Sequence, residues 1–103
     1  MERILCSAVH FMEDEVHIHQ PTNVRKGFVV CGLRHHNCYH TARLINPYFL
    51  QARLDTLEGF LTSENRFVDR VEGLVIAATA GQLQDPDACW GRTTKELYSE
   101  DIF

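Results

Sequence analysis

Arg66 and Arg70 stand four residues apart at the end of Gly59-Phe60-Leu61-Thr62-Ser63-Glu64-Asn65-Arg66-Phe67-Val68-Asp69-Arg70. Apolar and β-branched residues flank Ser63-Glu64-Asn65, a cluster of turn formers, so the stretch reads as strand, turn, strand. Spacing of four puts both guanidiniums on one face of a strand, or one turn apart on a helix, and either way they can converge. Paired, permanently charged forks are the chemistry of phosphate recognition, with Asn65 beside them to meet a hydroxyl. Surface ion pairs with Glu64, Asp69 and Glu72 are the competing reading, and the stretch alone leaves both open.

The second cluster is Leu33-Arg34-His35-His36-Asn37-Cys38-Tyr39-His40-Thr41, entered from the apolar run Gly27-Phe28-Val29-Val30-Cys31-Gly32. Gly32 permits a tight strand end, and a helix opening after it would offer free amide groups, with Arg34, His35 and His36, to a nucleotide phosphate. Phe28, Tyr39 or Phe67 would supply a face for a base, and Asn37 a partner for ribose. The spacing C-x3-H-x2-C-x-H from Cys31 to His40 matches no common zinc finger or ribbon, and His17-Ile18-His19 lacks a third ligand nearby, so no metal or cofactor is expected. Thiols beside histidines also resemble part of a cysteine nucleophile, yet no distal partners complete a triad. A nucleotide hydrolase using His35 or His36 as general base, with or without a metal, is the enzymatic alternative; the expectation is a binder and not an enzyme.

The elements that must position these residues follow from periodicity. Residues 3–11 and Val16-His17-Ile18-His19-Gln20, joined by Met12-Glu13-Asp14-Glu15, read as a hairpin, with His17 and His19 sharing a face. Gly27 to Gly32 reads as a central strand. Tyr39, Ala42 and Ile45, then Phe49, Leu50, Leu54 and Leu57, recur at helical spacing, which predicts a helix from Cys38 broken near Pro47 and closed by Glu58-Gly59. Val71 to Gln82 predicts a helix capped by Asp69, with Glu72 as capping-box partner, Gly81 as stop and Val75 on its buried face. The apolar Ile102-Phe103 should dock on the body or on another subunit. The fold class is therefore α+β: a small antiparallel sheet with two to three helices packed on it, a single domain over residues 1–103, expected as an oligomer.

Length and composition agree. The chain has 103 residues, 45% hydrophobic and 23% charged, enough for one modest core. No apolar run approaches the ~20 residues of a membrane span, and the N-terminus has no export-signal core, so a cytoplasmic protein with four reduced cysteines is expected, two of them buried in strands. Net charge is −4, but from Val16 to Leu54 there are five arginines and lysines and no acid, while the other five basic residues face all fourteen acids. An acidic whole argues against nucleic acid as partner, and a local basic segment favours a compact anion such as a nucleotide. Mutual neutralisation of the two parts is the plainer account of the same pattern.

Taken together, Gly27 to Asn37, Gly59 to Arg70 with the following Ala80-Gly81-Gln82, and Leu97-Tyr98-Ser99-Glu100-Asp101 resemble small phage and prophage proteins, in particular the first Thoeris anti-defence family. The resemblance implies an oligomeric sponge, a dimer or hexamer in the host bacterial cytoplasm. Such a sponge sequesters the cyclic ADP-ribose isomer made by TIR-domain sensors without cleaving it. Some members also hold cyclic oligonucleotides, so cyclic di- or trinucleotides are further expected ligands. The family pattern carries ligand contact onto Arg66 and Arg70 and onto Phe28 and Asn37. Residues between Tyr39 and Glu58 take no part in the resemblance.

Overall fold

Alternation along Ile4–Met12 (β1) sends Ser7, Val9 and Phe11 to one face, all fully buried. The computed structural model describes residues 1–45 and 55–103. In it β1 lies between Phe28–Gly32 (β2) and Asp55–Thr62 (β3), and Phe67–Asp69 (β4) completes an antiparallel sheet of order β2-β1-β3-β4. Register places Val9 between Val30 and Glu58, and Ser7 between Gly32 and Phe60, so one continuous face meets the helices.

His35–Ile45 (α1) covers one end of that face, setting Cys38 and Ala42 against Val9 and Phe11. Arg70–Thr79 (α2) covers the other end, with Leu74 and Ala77 joining Phe60, Val68, Ile4 and Leu97. Burying side chains such as Phe11, Phe60, Leu74 and Leu97 stabilises the fold by about 1.5–3 kcal/mol each. Close approach of α2 depends on Gly73, where an added Cβ would lie 3.0 Å from Phe60 Cδ2. A short helix Pro86–Trp90 (α3) follows, and the chain closes on a 3-10 turn at Ser99–Asp101. Leu97 is fully buried and Ile102 and Phe103 pack on the core, so the tail docks on the chain's own body.

The face away from the helices is sheltered in part by residues 13–27. Gln20 Oε1 accepts from Val29 N–H on β2, while Asn23 both donates to and accepts from the Phe67 backbone on β4, at 2.6 and 2.8 Å. Gln82 pairs in the same two-way manner with Ile4, at 2.8 Å in each direction. Side-chain amides thus stand in for missing strands on backbone that would otherwise be open to another chain.

Several local expectations hold. The hairpin turns at Ser63-Glu64-Asn65, with Asn65 in the left-handed region at φ 56°, and Asp69 caps α2 by accepting from Glu72 N–H. Gly81 follows the helix at φ 72°. Others need correction. Residues 16–20 form no strand: Val16 makes only an isolated bridge to Gly27, His19 turns to φ 60°, and Val16 and Ile18 are 71% and 81% exposed. Alternation there had nothing to bury against, and the more apolar Phe28–Gly32 took the β1 edge instead. That strand is consequently an edge, not the centre.

α1 begins at His35, ahead of the expected Cys38, because the Arg34 carbonyl accepts from Asn37 and Cys38 N–H and Asn37 Oδ1 accepts from Arg34 N–H. The expected second helical stretch lies largely outside the described residues. Its end at Asp55 to Leu57, and the closing Glu58-Gly59, belong to β3. The buried cysteines, Cys38 and Cys89, are on helices, whereas the strand cysteines Cys6 and Cys31 are half-buried and exposed. Val75 is 54% exposed, and its neighbours Gly73, Leu74 and Ala77 form the packed side of α2.

Candidate functional site

Arg70 is the first residue of α2, and its guanidinium enters the space between β3 and the C-terminal segment. Nη2 donates to Glu58 Oε1 at 2.5 Å, Nη1 donates to the Leu97 carbonyl at 2.8 Å, and the group stacks 4.9 Å from the Tyr98 ring centroid. The other Glu58 oxygen accepts from the Tyr39 hydroxyl at 2.7 Å. Desolvation acts to raise the Glu58 pKa, but the Tyr39 and Arg70 hydrogen bonds outweigh it and hold the carboxyl below its ordinary range.

His35 sits beneath this pair. Its Nε2 meets the Gly59 carbonyl at 2.8 Å and must donate there, so in the neutral ring Nδ1 is the acceptor, taking the Ser99 hydroxyl at 2.8 Å. Ser99 Oγ also meets Ser7 Oγ at 2.8 Å, and Ser7 donates to the Leu33 carbonyl at 2.9 Å. Burial lowers the His35 pKa first of all, and the nearby Arg70 charge works in the same direction. A buried imidazole with both nitrogens engaged is a structural hub.

Arg34 completes the pattern by donating from Nη2 to the Phe103 backbone oxygen at 2.9 Å. Arg34, His35 and Arg70 therefore converge, and what they grip is the chain's own segment from Leu97 to Phe103. Arg92 also stacks on Tyr98, 4.9 Å from the ring centroid, and pairs with Asp101, so two guanidiniums meet one phenol ring.

Arg66 belongs elsewhere. It donates to both Glu2 oxygens at 2.9 and 2.7 Å and to Glu72 at 3.0 Å, which holds the Glu2 carboxyl down to about 2 through the Arg66 and Thr62 hydrogen bonds. Arg66 and Arg70 flank β4, separated by roughly 13 Å of extended backbone, and each has its own carboxylates. The expected convergence of that pair does not occur. Of the competing ion-pair partners named from sequence, Glu72 is correct for Arg66.

Two hollows adjoin these elements. One of about 310 Å³ is lined by Leu57, Glu58, Asp69, Arg70, Val71 and Glu96, three carboxylates against one guanidinium, which is poor company for a diphosphate. The other, of about 460 Å³, lies along the outer edge of β2, with an apolar wall of Phe28, Val29, Val30 and Ile45 and a polar rim of Glu13, Glu15, His17 and Gln20, so carboxylates stand at its mouth as well. Its volume falls within the ~300–1,000 Å³ of small-molecule pockets. Phe28 is half-buried, 5.2 Å from the Phe11 centroid and parallel to it. His36 and Asn37 are exposed on the first turn of α1, and Asn65 is exposed at its hairpin, where its carbonyl accepts from Thr22.

A model of the family described as phage T4 y16D protein matches residues 3–103. The chain belongs to the y16D family. Comparison with curated proteins and with solved structures gives no significant match. No described helix of this y16D-family protein is long and apolar enough to cross a membrane. Sequence reading missed Glu58, Ser99 and Arg92 as organisers of this cluster. Glu58 is separated from Arg70 by 12 positions and Ser99 from His35 by 64, and only the strand register and the docked tail bring them together.

Proposed function

We propose that this phage-family protein is a non-catalytic sequestering protein for a cyclic ADP-ribose isomer, acting in the manner of Thoeris anti-defence sponges. The observation that carries the reading is the 460 Å³ groove beside β2, an apolar slot sized for a small ligand, with Glu13, Glu15, His17 and Gln20 on its rim. The adenine lies against the Phe28, Val29 and Val30 wall. Its phosphates point out of the groove, away from Glu13 and Glu15 and toward exposed cations of the acid-free segment such as Arg25, Lys26 and Arg43, in place of the arginine pair. Cyclic di- or trinucleotides are secondary ligands, and the working form is a homo-oligomer.

Support for binding without cleavage comes from His35, whose ring nitrogens are both committed inside the fold. The hydrolase alternative would rest on His36 alone, exposed on α1. The test is calorimetric titration with the cyclic nucleotide, comparing the native chain with Val29→Trp, which fills the groove. Micromolar or tighter binding, about −8 kcal/mol or stronger, lost in a Val29→Trp protein of unchanged melting temperature, supports the assignment. No heat with the native chain, or recovery of linear ADP-ribose from the cell, rejects it.

A further inference from the structure

On the face of the sheet turned away from the helices, β1 and β2 bring two cysteines together. Ala8 is the register partner of Cys31, and alternation puts Cys6 on the same face as Ala8, so the two cysteines lie on one diagonal of adjacent antiparallel strands. That placement brings the two thiols close enough for each to shift the other's titration. Both can be reached from solvent, Cys31 being exposed and Cys6 half-buried, whereas Cys38 and Cys89 are buried. We propose that Cys6 and Cys31 form a redox-active dithiol that closes to an intramolecular disulfide on meeting a peroxide.

The two thiols have different roles. The neighbouring Cys31 thiol brings the Cys6 pKa down to about 7, which favours a thiolate there. The same coupling, followed by burial and the neighbouring charge, pushes Cys31 up and keeps its proton in place. Cys38, by contrast, is pushed up to about 11 by burial and stays a thiol. The Cys6 thiolate attacks one peroxide oxygen, the O–O bond breaks, hydroxide leaves and takes a proton to become water, and Cys6 is oxidised to the sulfenic acid. The Cys6 anion that held the Cys31 proton is then gone. The Cys31 sulfur attacks the Cys6 sulfur, and the sulfenic hydroxyl leaves with the Cys31 proton as a second water. Two thiols and one hydrogen peroxide give one disulfide and two waters, with both electrons supplied by the sulfurs.

Position matters to the outcome. β2 is the edge strand and lines the groove through Phe28, Val29 and Val30, so the crosslink would fasten that wall to the central strand β1. The experiment treats the purified, reduced chain with hydrogen peroxide and follows intact mass, free-thiol count and non-reducing peptide mapping. The expected product is a monomer lighter by two hydrogen atoms with two thiols remaining. Its link joins the Cys6 and Cys31 peptides and is reversed by dithiothreitol, and its melting temperature is raised on the order of 10 °C. Cys31→Ser should stop at a Cys6 sulfenic acid trapped by dimedone. Four thiols surviving treatment, a disulfide-linked dimer through Cys31, or Cys6 passing to sulfinic acid in the native chain with no link to Cys31 would each overturn the proposal.

Discussion

Arg70 and Glu58 face each other at 2.5 Å across the junction of α2 and β3, and the same guanidinium donates to the Leu97 carbonyl at 2.8 Å. One side chain therefore joins helix, sheet and tail. Removing it leaves a partly buried carboxylate and a tail carbonyl without a partner, so Arg70→Ala should cost about 2–4 kcal/mol, measured by urea unfolding. Glu58→Gln together with Arg70→Met should recover part of the loss, since the uncompensated charge goes with the partner. An Arg70→Ala protein as stable as the native chain would return Arg70 to the role of ligand contact.

His35 is buried with a pKa lowered chiefly by desolvation. The unfolded chain then takes up a proton near pH 6.5 before the folded one does, so stability is full above that pH and falls as pH drops below it. A thermal melt series from pH 8 to 5 should show this fall, and His35→Gln should flatten it while lowering stability at every pH.

α2 has one packed side. Leu74→Ala should cost about 2–5 kcal/mol, and Gly73→Val, which drives a branched side chain into Phe60, about 1–3 kcal/mol. Val75→Asp, at an exposed position, should change stability by less than about 1 kcal/mol. Denaturant midpoints for the three variants check the order, and a Val75→Asp chain that unfolds would mean the exposed side is covered in an assembly.

Ser99 links His35 to Ser7, and Tyr98 stacks with both Arg70 and Arg92. Ser99→Ala should cost about 1–2 kcal/mol by leaving buried groups unpaired. Amide hydrogen exchange should then speed at the tail and at the start of α1 together, since both ends of the bond are released. Faster exchange at the tail alone would show that His35 does not depend on it.

What the sequence disclosed was whatever a short window contains. Asn65 in its turn, Asp69 as helix cap and Gly81 after the helix are local rules found where they were read, whereas the Glu72 carboxylate pairs with Arg66 instead of closing a capping box. The His17 and His19 strand failed because alternation reports a possible face and not a surface to bury it against. Arg66 and Arg70 stood out as a pair of guanidiniums, but spacing could not say which acids stood opposite. Glu2 reaches Arg66 from 64 positions away, past an irregular register between Ile4 and Cys6. The basic look of Arg34 and His35 likewise concealed that their partner is the tail at Ser99 and Phe103.

Sequestration itself is tested most directly by native mass spectrometry of the protein isolated from cells in which a TIR-domain enzyme makes cyclic ADP-ribose. The account predicts a protein carrying one intact cyclic nucleotide per groove, released unchanged on heating. Bare protein from cells shown to contain the nucleotide, or protein carrying linear ADP-ribose, would contradict it.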